Sequence, residues 1–214
     1  MAAARLASLI SRHGLRFFTT PDVATLTGLS RSSSSQALRR MARDGLVTRI
    51  RHGLWVNRLA AGMNPFEAVP HLRSPWPAYV SLYSALSGYS LIEEVPQVVY
   101  AVTSGRPGRI QTSVGSFHFH HLPTRLMWGY AMGRSGAASY PIADPEKAFL
   151  DLCYLALTIR SPLGFPRRRG RRWELDGAKV LQYAKRFAFP PLVDYIRRER
   201  FAAPDGRIQT GGTR

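Results

Sequence analysis

Apolar positions in the first 56 residues fall at helical spacing in three stretches and then change to strand spacing. Leu6, Leu9 and Ile10 share one face of a first helix. Phe17 and Phe18 give a short extended piece. Val23 and Leu26 mark a second, short helix, with Thr20 as N-cap, Pro21 at its first position, Asp22 in its first turn and Gly28 at its end. A third helix is capped by Ser30, faces the core with Ala37, Leu38 and Met41, and stops near Asp44 and Gly45. Residues 46–50 and 54–56 read as two strands joined by Arg51, His52 and Gly53, with the glycine free to take the positive φ of a tight hairpin. Helix, turn, helix and arginine-tipped hairpin is the order of a winged helix-turn-helix, which lays its second helix of the pair in the DNA major groove.

The pattern changes after this head. Residues 58–77 are proline-rich and read as a connection with a short helical piece near 66–69. Residues 79–86 are apolar throughout and fit a helix or a strand. Residues 97–103 form a β-branched strand, and 113–122 a strand alternating Phe117 and Phe119 with His118 and His120. A short strand at 140–143 leads to a helix opened by Asp144, Pro145 and Glu146, with Ala148, Phe149, Leu152, Leu155 and Ala156 on its apolar face. Residues 163–172 form a loop rich in Pro, Gly and Arg. Helices follow over 176–187 and 190–200, and the chain after Pro204 has no period. The expected fold is α+β: a winged helix-turn-helix over 1–58, a connection over 59–77, a mixed α/β domain over 78–203 and a frayed tail over 204–214. The pentapeptide GRIQT occurs at 108–112 and 206–210 with unmatched flanks, and is read as coincidence.

Charge sharpens this picture. The chain of 214 residues carries a net +17. Residues 1–60 hold ten Arg against Asp22 and Asp44, a net of +8; residues 61–159 are neutral; residues 160–214 reach +9. Two basic ends flank a neutral middle, and such a field favours polyanions, most simply nucleic acid. The basic, acid-free start is compatible with an organellar leader, but its helical apolar spacing runs directly into the head and favours a folded helix. No apolar run is long enough to span a bilayer. Cys153 is the only cysteine, which excludes an internal disulfide, fits a reducing compartment and, within FLDLCYLAL, reads as a buried thiol.

On the third helix Ser32, Ser35, Gln36, Arg39 and Arg43 align at spacings of three and four. The stripe is short and polar at its start, suiting base edges, and long and cationic farther on, suiting phosphates. Arg31 and Arg40 flank it. Arg49, Arg51 and His52 of the hairpin, with Arg58 beyond it, are expected to reach adjacent phosphates, and Trp55 to pack beneath the wing. Arg167, Arg168, Arg169, Arg171 and Arg172 form a second basic cluster, expected as a phosphate-contacting loop beside the wing.

Catalytic chemistry is not legible. Asp144, Glu146 and Lys147 invite comparison with metal-dependent nucleases, but Glu146 and Lys147 are adjacent and point apart on a helix, and a helix cap explains the acids. His118, His120 and His121 lack a further ligand at metal-binding spacing. The chain contains no Gly-rich phosphate loop and no nucleophile elbow. The expectation is no enzyme, no metal and no cofactor.

Several segments in order, TPDVATLTGLSRSSSSQALRRMARDGLVTRIRHGLWV, YVSLYSALSGYSLIEEVPQVVYAVTSGRPG, SVGSFHFHHL and YPIADPEKAFLDLCYLAL, resemble the AbiEi-type antitoxins of bacterial type IV toxin–antitoxin systems. The resemblance implies a winged-helix N-domain, an α/β antitoxin domain, and a cytoplasmic repressor that binds inverted repeats in its own promoter as a monomer or dimer. It also implies a nucleotidyltransferase-like toxin, counteracted without a stable complex, and DNA contact at Ser32, Ser35, Gln36, Arg39, Arg43 and 49–52. Two other classes fit the residues less well: a ligand-responsive winged-helix regulator, and a nucleic-acid-processing enzyme targeted by its head.

Overall fold

The computed structural model describes residues 3–159, 162–170 and 172–201, so Arg171 and the expected tail over 204–214 lie outside the described residues. In the head, α1 (Ala3–Arg12), α2 (Thr20–Thr27) and α3 (Arg31–Arg43) accompany a three-stranded antiparallel sheet of β1 (Phe17–Thr19), β2 (Val47–Arg51) and β3 (Leu54–Asn57), ordered β1-β3-β2. Leu6, Ile10, Phe18, Val23, Leu38 and Met41 are buried between the helices and the sheet. Leu9 is only half-buried, and Ala7 takes the third core position on α1.

The cap of α2 sits one residue earlier than the sequence suggests. Thr19 Oγ1 accepts the Asp22 N–H at 3.3 Å and the Asp22 carboxylate accepts the Thr19 N–H at 2.7 Å, a capping box that fills two orphan donors. Thr20 is thereby released to accept a hydrogen bond from Trp55 Nε1 at 3.0 Å, tying α2 to the wing. Gly28, at φ 69°, closes α2 in the left-handed conformation, and Ser30 caps α3 through the Ser33 N–H.

The body is built on a mixed six-stranded sheet ordered β6-β7-β5-β4-β9-β8. Its strands are β4 (Ala78–Val80), β5 (Val99–Thr103), β6 (Gly108–Thr112), β7 (Gly115–His121), β8 (Tyr130–Ser135) and β9 (Ala138–Ala143). The pairs β4–β9 and β5–β7 run parallel and the others antiparallel. This is the α+β class read from the sequence. The expected 79–86 segment splits into β4 and α5 (Leu82–Gly88), with Leu82 at φ 55° on the corner between them. Both pieces are buried, so the apolar run carries no period that separates strand from helix. Strands β6 and β8 had no reading in the sequence. They are the two edges of the sheet and largely exposed, so neither alternates apolar with polar.

One face of this sheet is covered by α5, α6 (Pro145–Leu157), α7 (Gly177–Arg186) and α8 (Pro190–Arg198), around Tyr79, Val102, Phe149, Leu152, Trp173 and Val180. Asp144 caps α6, as its sequence suggests, and Asp176, the first residue of the expected 176–187 helix, caps α7. The opposite face carries α4 (Ala68–Arg73) and the head. Leu54 and Val56 of β3 share one apolar cluster with Val69, Leu72, Val80 and Phe119, while Trp55 between them faces the head core. Strand β3 is therefore buried on both sides.

The connection is a packed layer with fixed anchors. Arg16 Nε donates to Glu67 Oε1 at 2.6 Å, and its other nitrogens donate to the carbonyls of Ala61 and Gly62 at 2.9 and 2.8 Å. Glu67 is itself buried, so this ion pair joins the start of the head sheet to the layer beneath it in partly desolvated surroundings. Among the described residues no helix is long and apolar enough to cross a membrane.

Candidate nucleic-acid interface

Helix α3 divides cleanly by side. Ser34, Ala37, Leu38 and Met41 are buried, and Arg31, Ser32, Gln36, Arg39, Arg40 and Arg43 are exposed, with Ser35 half-buried at the boundary. The wing rises beside this outward stripe. Between them lies a cleft of about 430 Å³, lined by Arg31, Ser32, Ser35 and Arg39 from α3 and by Arg49 and His52 from the wing. Thr20 and Pro21 at the start of α2, with Gly53 and Trp55, complete its walls, and the lining contains no carboxylate. Asp22, close in sequence, is turned into the capping box and does not line the cleft.

The wing residues are held in distinct ways. Arg49 Nη2 donates to His52 Nδ1 at 2.9 Å. A guanidinium has no acceptor, so Nδ1 is the accepting nitrogen in this pair. Arg49 Nε donates to the Arg51 carbonyl at 3.3 Å, and its guanidinium carbon lies 6.0 Å from the Trp55 ring centroid. Trp55 is buried beneath the wing, as expected, and acts as the floor of the cleft. The Arg51 side chain runs the other way: its Nη2 donates to the His71 carbonyl of α4 at 2.8 Å, pinning the wing to the body. Gly53, at φ 75°, makes the tip. Arg58 follows Asn57 at the end of β3 away from the tip and is separated from the Arg49–His52 group.

The second basic cluster does not lie beside the wing. Arg169 N–H donates to the Leu91 carbonyl at 3.0 Å, and Arg168 pairs with Glu199 at 3.5 Å. Trp173 Nε1 also donates to Glu199, at 3.1 Å. These contacts fasten the loop to the helix-covered face of the body sheet, whereas the head packs on the opposite face. Arg167, Arg168, Arg169 and Arg172 are exposed there, and Arg171 lies outside the described residues. Shared charge carries no information about which face a loop joins.

Other sequence candidates resolve as structural parts. Glu146 accepts from Lys179 Nζ at 2.6 Å, and Asp144 accepts from the Tyr183 hydroxyl at 3.1 Å besides capping α6. Cys153 is fully buried, and burial pushes its thiol well above the ordinary range. His118 and His120 share a face of β7 while His121 Nδ1 donates to the Gly105 carbonyl at 3.0 Å; among the described residues no three metal-type ligands come together.

One cluster was missed. Lys147, Asp151, Tyr79 and Ser81 meet in the body core, all fully buried. Lys147 Nζ bonds Asp151 and donates to the Tyr79 hydroxyl at 2.8 Å; Tyr79 and Ser81 hydroxyls donate to Asp151 Oδ2 at 3.0 and 2.9 Å. Burial pushes the Asp151 carboxyl up and the Lys147 ammonium down, each opposed by the charge of the other. The signal was in KAFLD: Lys147 and Asp151, opposite charges four apart on the apolar part of a helix.

Three helices, a tight turn before the third and a hairpin flanking it give this head the architecture of a winged helix-turn-helix. Residues 4–58 match a protein family described as transcriptional regulators, AbiEi antitoxins. The match spans α1 through β3 and agrees, for the head, with the resemblance read from the sequence. No curated protein matches the chain.

Proposed function

We propose that this protein is a DNA-binding antitoxin of the type IV kind that represses its own operon. Helix α3 enters the major groove, with Ser32, Ser35 and Gln36 toward base edges and Arg39, Arg40 and Arg43 toward phosphates. Arg31, Arg49 and His52 line the cleft beside α3, and the tip with Arg51 completes the wing contact. Two copies occupy an inverted repeat in the bacterial cytoplasm. Residues 1–58 form the reading domain, 59–77 the connection, and 78–203 the antitoxin domain, which counteracts a nucleotidyltransferase-like toxin without a stable complex. No catalytic role is assigned to any residue.

The observation that carries this reading is the carboxylate-free cleft between the exposed α3 stripe and Arg49 of the wing. Cations lining an open concavity with no acid to answer them suit a polyanion. The test is a fluorescence-anisotropy titration of the full chain against its own upstream DNA, with Arg39→Ala beside it. Tight binding by the parent and loss in the variant is the expected result; equal binding by both would remove α3 from the interface.

A further inference from the structure

Strands β6, β7 and β5 place three side chains in one row across the face of the body sheet away from the head. Arg109 stands opposite His118, and His118 opposite Tyr100. His120, two residues along β7, extends the row on the same face. Pro162 and Leu163 line the same open pocket of about 380 Å³ as this row, together with Pro107 and Gly108. That volume falls within the range of small-molecule sites.

The lining has a definite chemistry. The Tyr100 and His120 rings are nearly parallel, 16° apart, at a centroid separation of 6.1 Å, and His118 meets Tyr100 edge-on at 5.4 Å. Tyr83, whose hydroxyl donates to the Gly164 carbonyl at 2.8 Å, holds the loop of Pro162 and Leu163 and packs edge-on against Tyr100. The cavity thus offers flat aromatic surface, proline and leucine walls, and one guanidinium; no carboxylate lines it. The His120 ring lines the pocket, and its Nε2 is buried and has no hydrogen-bond partner. A buried polar atom left unpaired costs free energy that a ligand hydrogen bond would recover. Burial first, and then the charges of His118 and Arg109, hold the His120 imidazole at about 4, so it is neutral near pH 7.

We infer that this cavity binds a small flat aromatic anion, its ring against Tyr100 and His120, its anionic group on Arg109, and a polar ring atom on His120 Nε2. The pairing of π surface with a single guanidinium excludes a bare inorganic anion as the fitting ligand, since phosphate would leave the aromatic walls uncovered. An aromatic carboxylate and a nucleoside monophosphate share the required chemistry. The inference is independent of the DNA-binding reading and uses no residue assigned to it.

The test titrates the full-length protein with salicylate and, separately, with uridine monophosphate, following the imidazole nitrogen resonances of His118 and His120 by NMR. Cyclohexanecarboxylate and inorganic phosphate serve as probes lacking the flat ring. Saturable shifts with one flat anion, absent with both controls, are expected, and which flat anion binds identifies the source. Arg109→Gln, on the exposed edge strand, should weaken that binding about tenfold, the loss of one charge-assisted hydrogen bond. His120→Phe, which keeps the ring and removes Nε2, should weaken it as well. No shift with either flat anion, equal shifts with the controls, or unchanged affinity in Arg109→Gln would overturn the inference.

Discussion

The cations of helix α3 in the head and the partnered cations of the body are used in opposite ways. In the body Lys147 is bound by Asp151, Lys179 by Glu146, Arg168 by Glu199, and Arg125 by the Phe187 carbonyl. In the head, Arg31, Arg39, Arg40 and Arg43 have no ion-pair partner among the described residues, and α3 contains no acid. A buried or half-buried cation must be answered within the fold, because desolvation without a partner is costly. An exposed cation carries no such demand, and a row of them left unanswered is free for an anion from outside. Sorting arginines by partner therefore separates those that hold the molecule together from those available for a ligand, which composition alone cannot do.

The sharpest break of this contrast is Asp151→Ala. It leaves the Lys147 ammonium in a dry core with the Tyr79 hydroxyl in place of its counter-charge. The expected loss of unfolding free energy in urea titration is about 3–5 kcal/mol. Replacing both partners with apolar residues, Lys147→Met with Asp151→Leu, should recover most of that loss. A single variant within about 1 kcal/mol of the parent would mean that the pair is not an obligate unit.

Arg39→Ala is the mirror experiment. The guanidinium has no internal partner, so folding stability should stay within about 0.5 kcal/mol of the parent. Affinity for upstream DNA should fall by about 1–3 kcal/mol if Arg39 reads a base, and the salt slope should flatten by about one if it meets a phosphate. Arg167→Ala with Arg168→Ala, on the other face of the body sheet, should leave the DNA affinity and its salt slope unchanged. A parallel loss there would show that DNA reaches both faces.

The head was the more legible region because its signals are local. Capping residues, Gly28, Gly53 and the spacing of Leu38 and Met41 each act within a few residues, so sequence order places them. Even the shift of the cap from Thr20 to Thr19 arises locally, since either threonine can accept and Asp22 decides between them. In the body the decisive information is distant. Lys147 and Tyr79 are 68 positions apart and Arg109 is aligned with Tyr100 only through His118 of the strand between them, so neither constellation has a sequence signature. The edge strands β6 and β8 lacked alternation because solvent lies on much of both, and the side of the body taken by the arginine loop was set by Leu91 and Glu199.

Arg51 stands between the two classes and tests whether they are distinct. Its outward position belongs to the wing, but one nitrogen is committed to His71 of α4. Arg51→Ala is expected to cost about 1 kcal/mol of stability or less, one largely exposed hydrogen bond. It should also weaken DNA binding, and by less than Arg39→Ala. Combining Arg51→Ala with a body substitution such as Asp151→Ala should be additive, because the two share no partner.

The last expectation concerns the response to acid and rests on the histidines beneath the head and in the body sheet. Burial lowers His120, to about 4, and also lowers His118 and His71 from the ordinary 6.5. For each, the unfolded chain takes up a proton at a pH where the folded chain does not. Stability from these groups is complete above about 6.5 and declines as the pH falls toward about 4. His120→Phe removes one contributor, so its thermal midpoint should fall less steeply than the parent's between those pH values, while the two curves run parallel above neutrality. An identical acid slope in the variant would mean that the His120 imidazole is as free to protonate in the folded protein as in the unfolded chain.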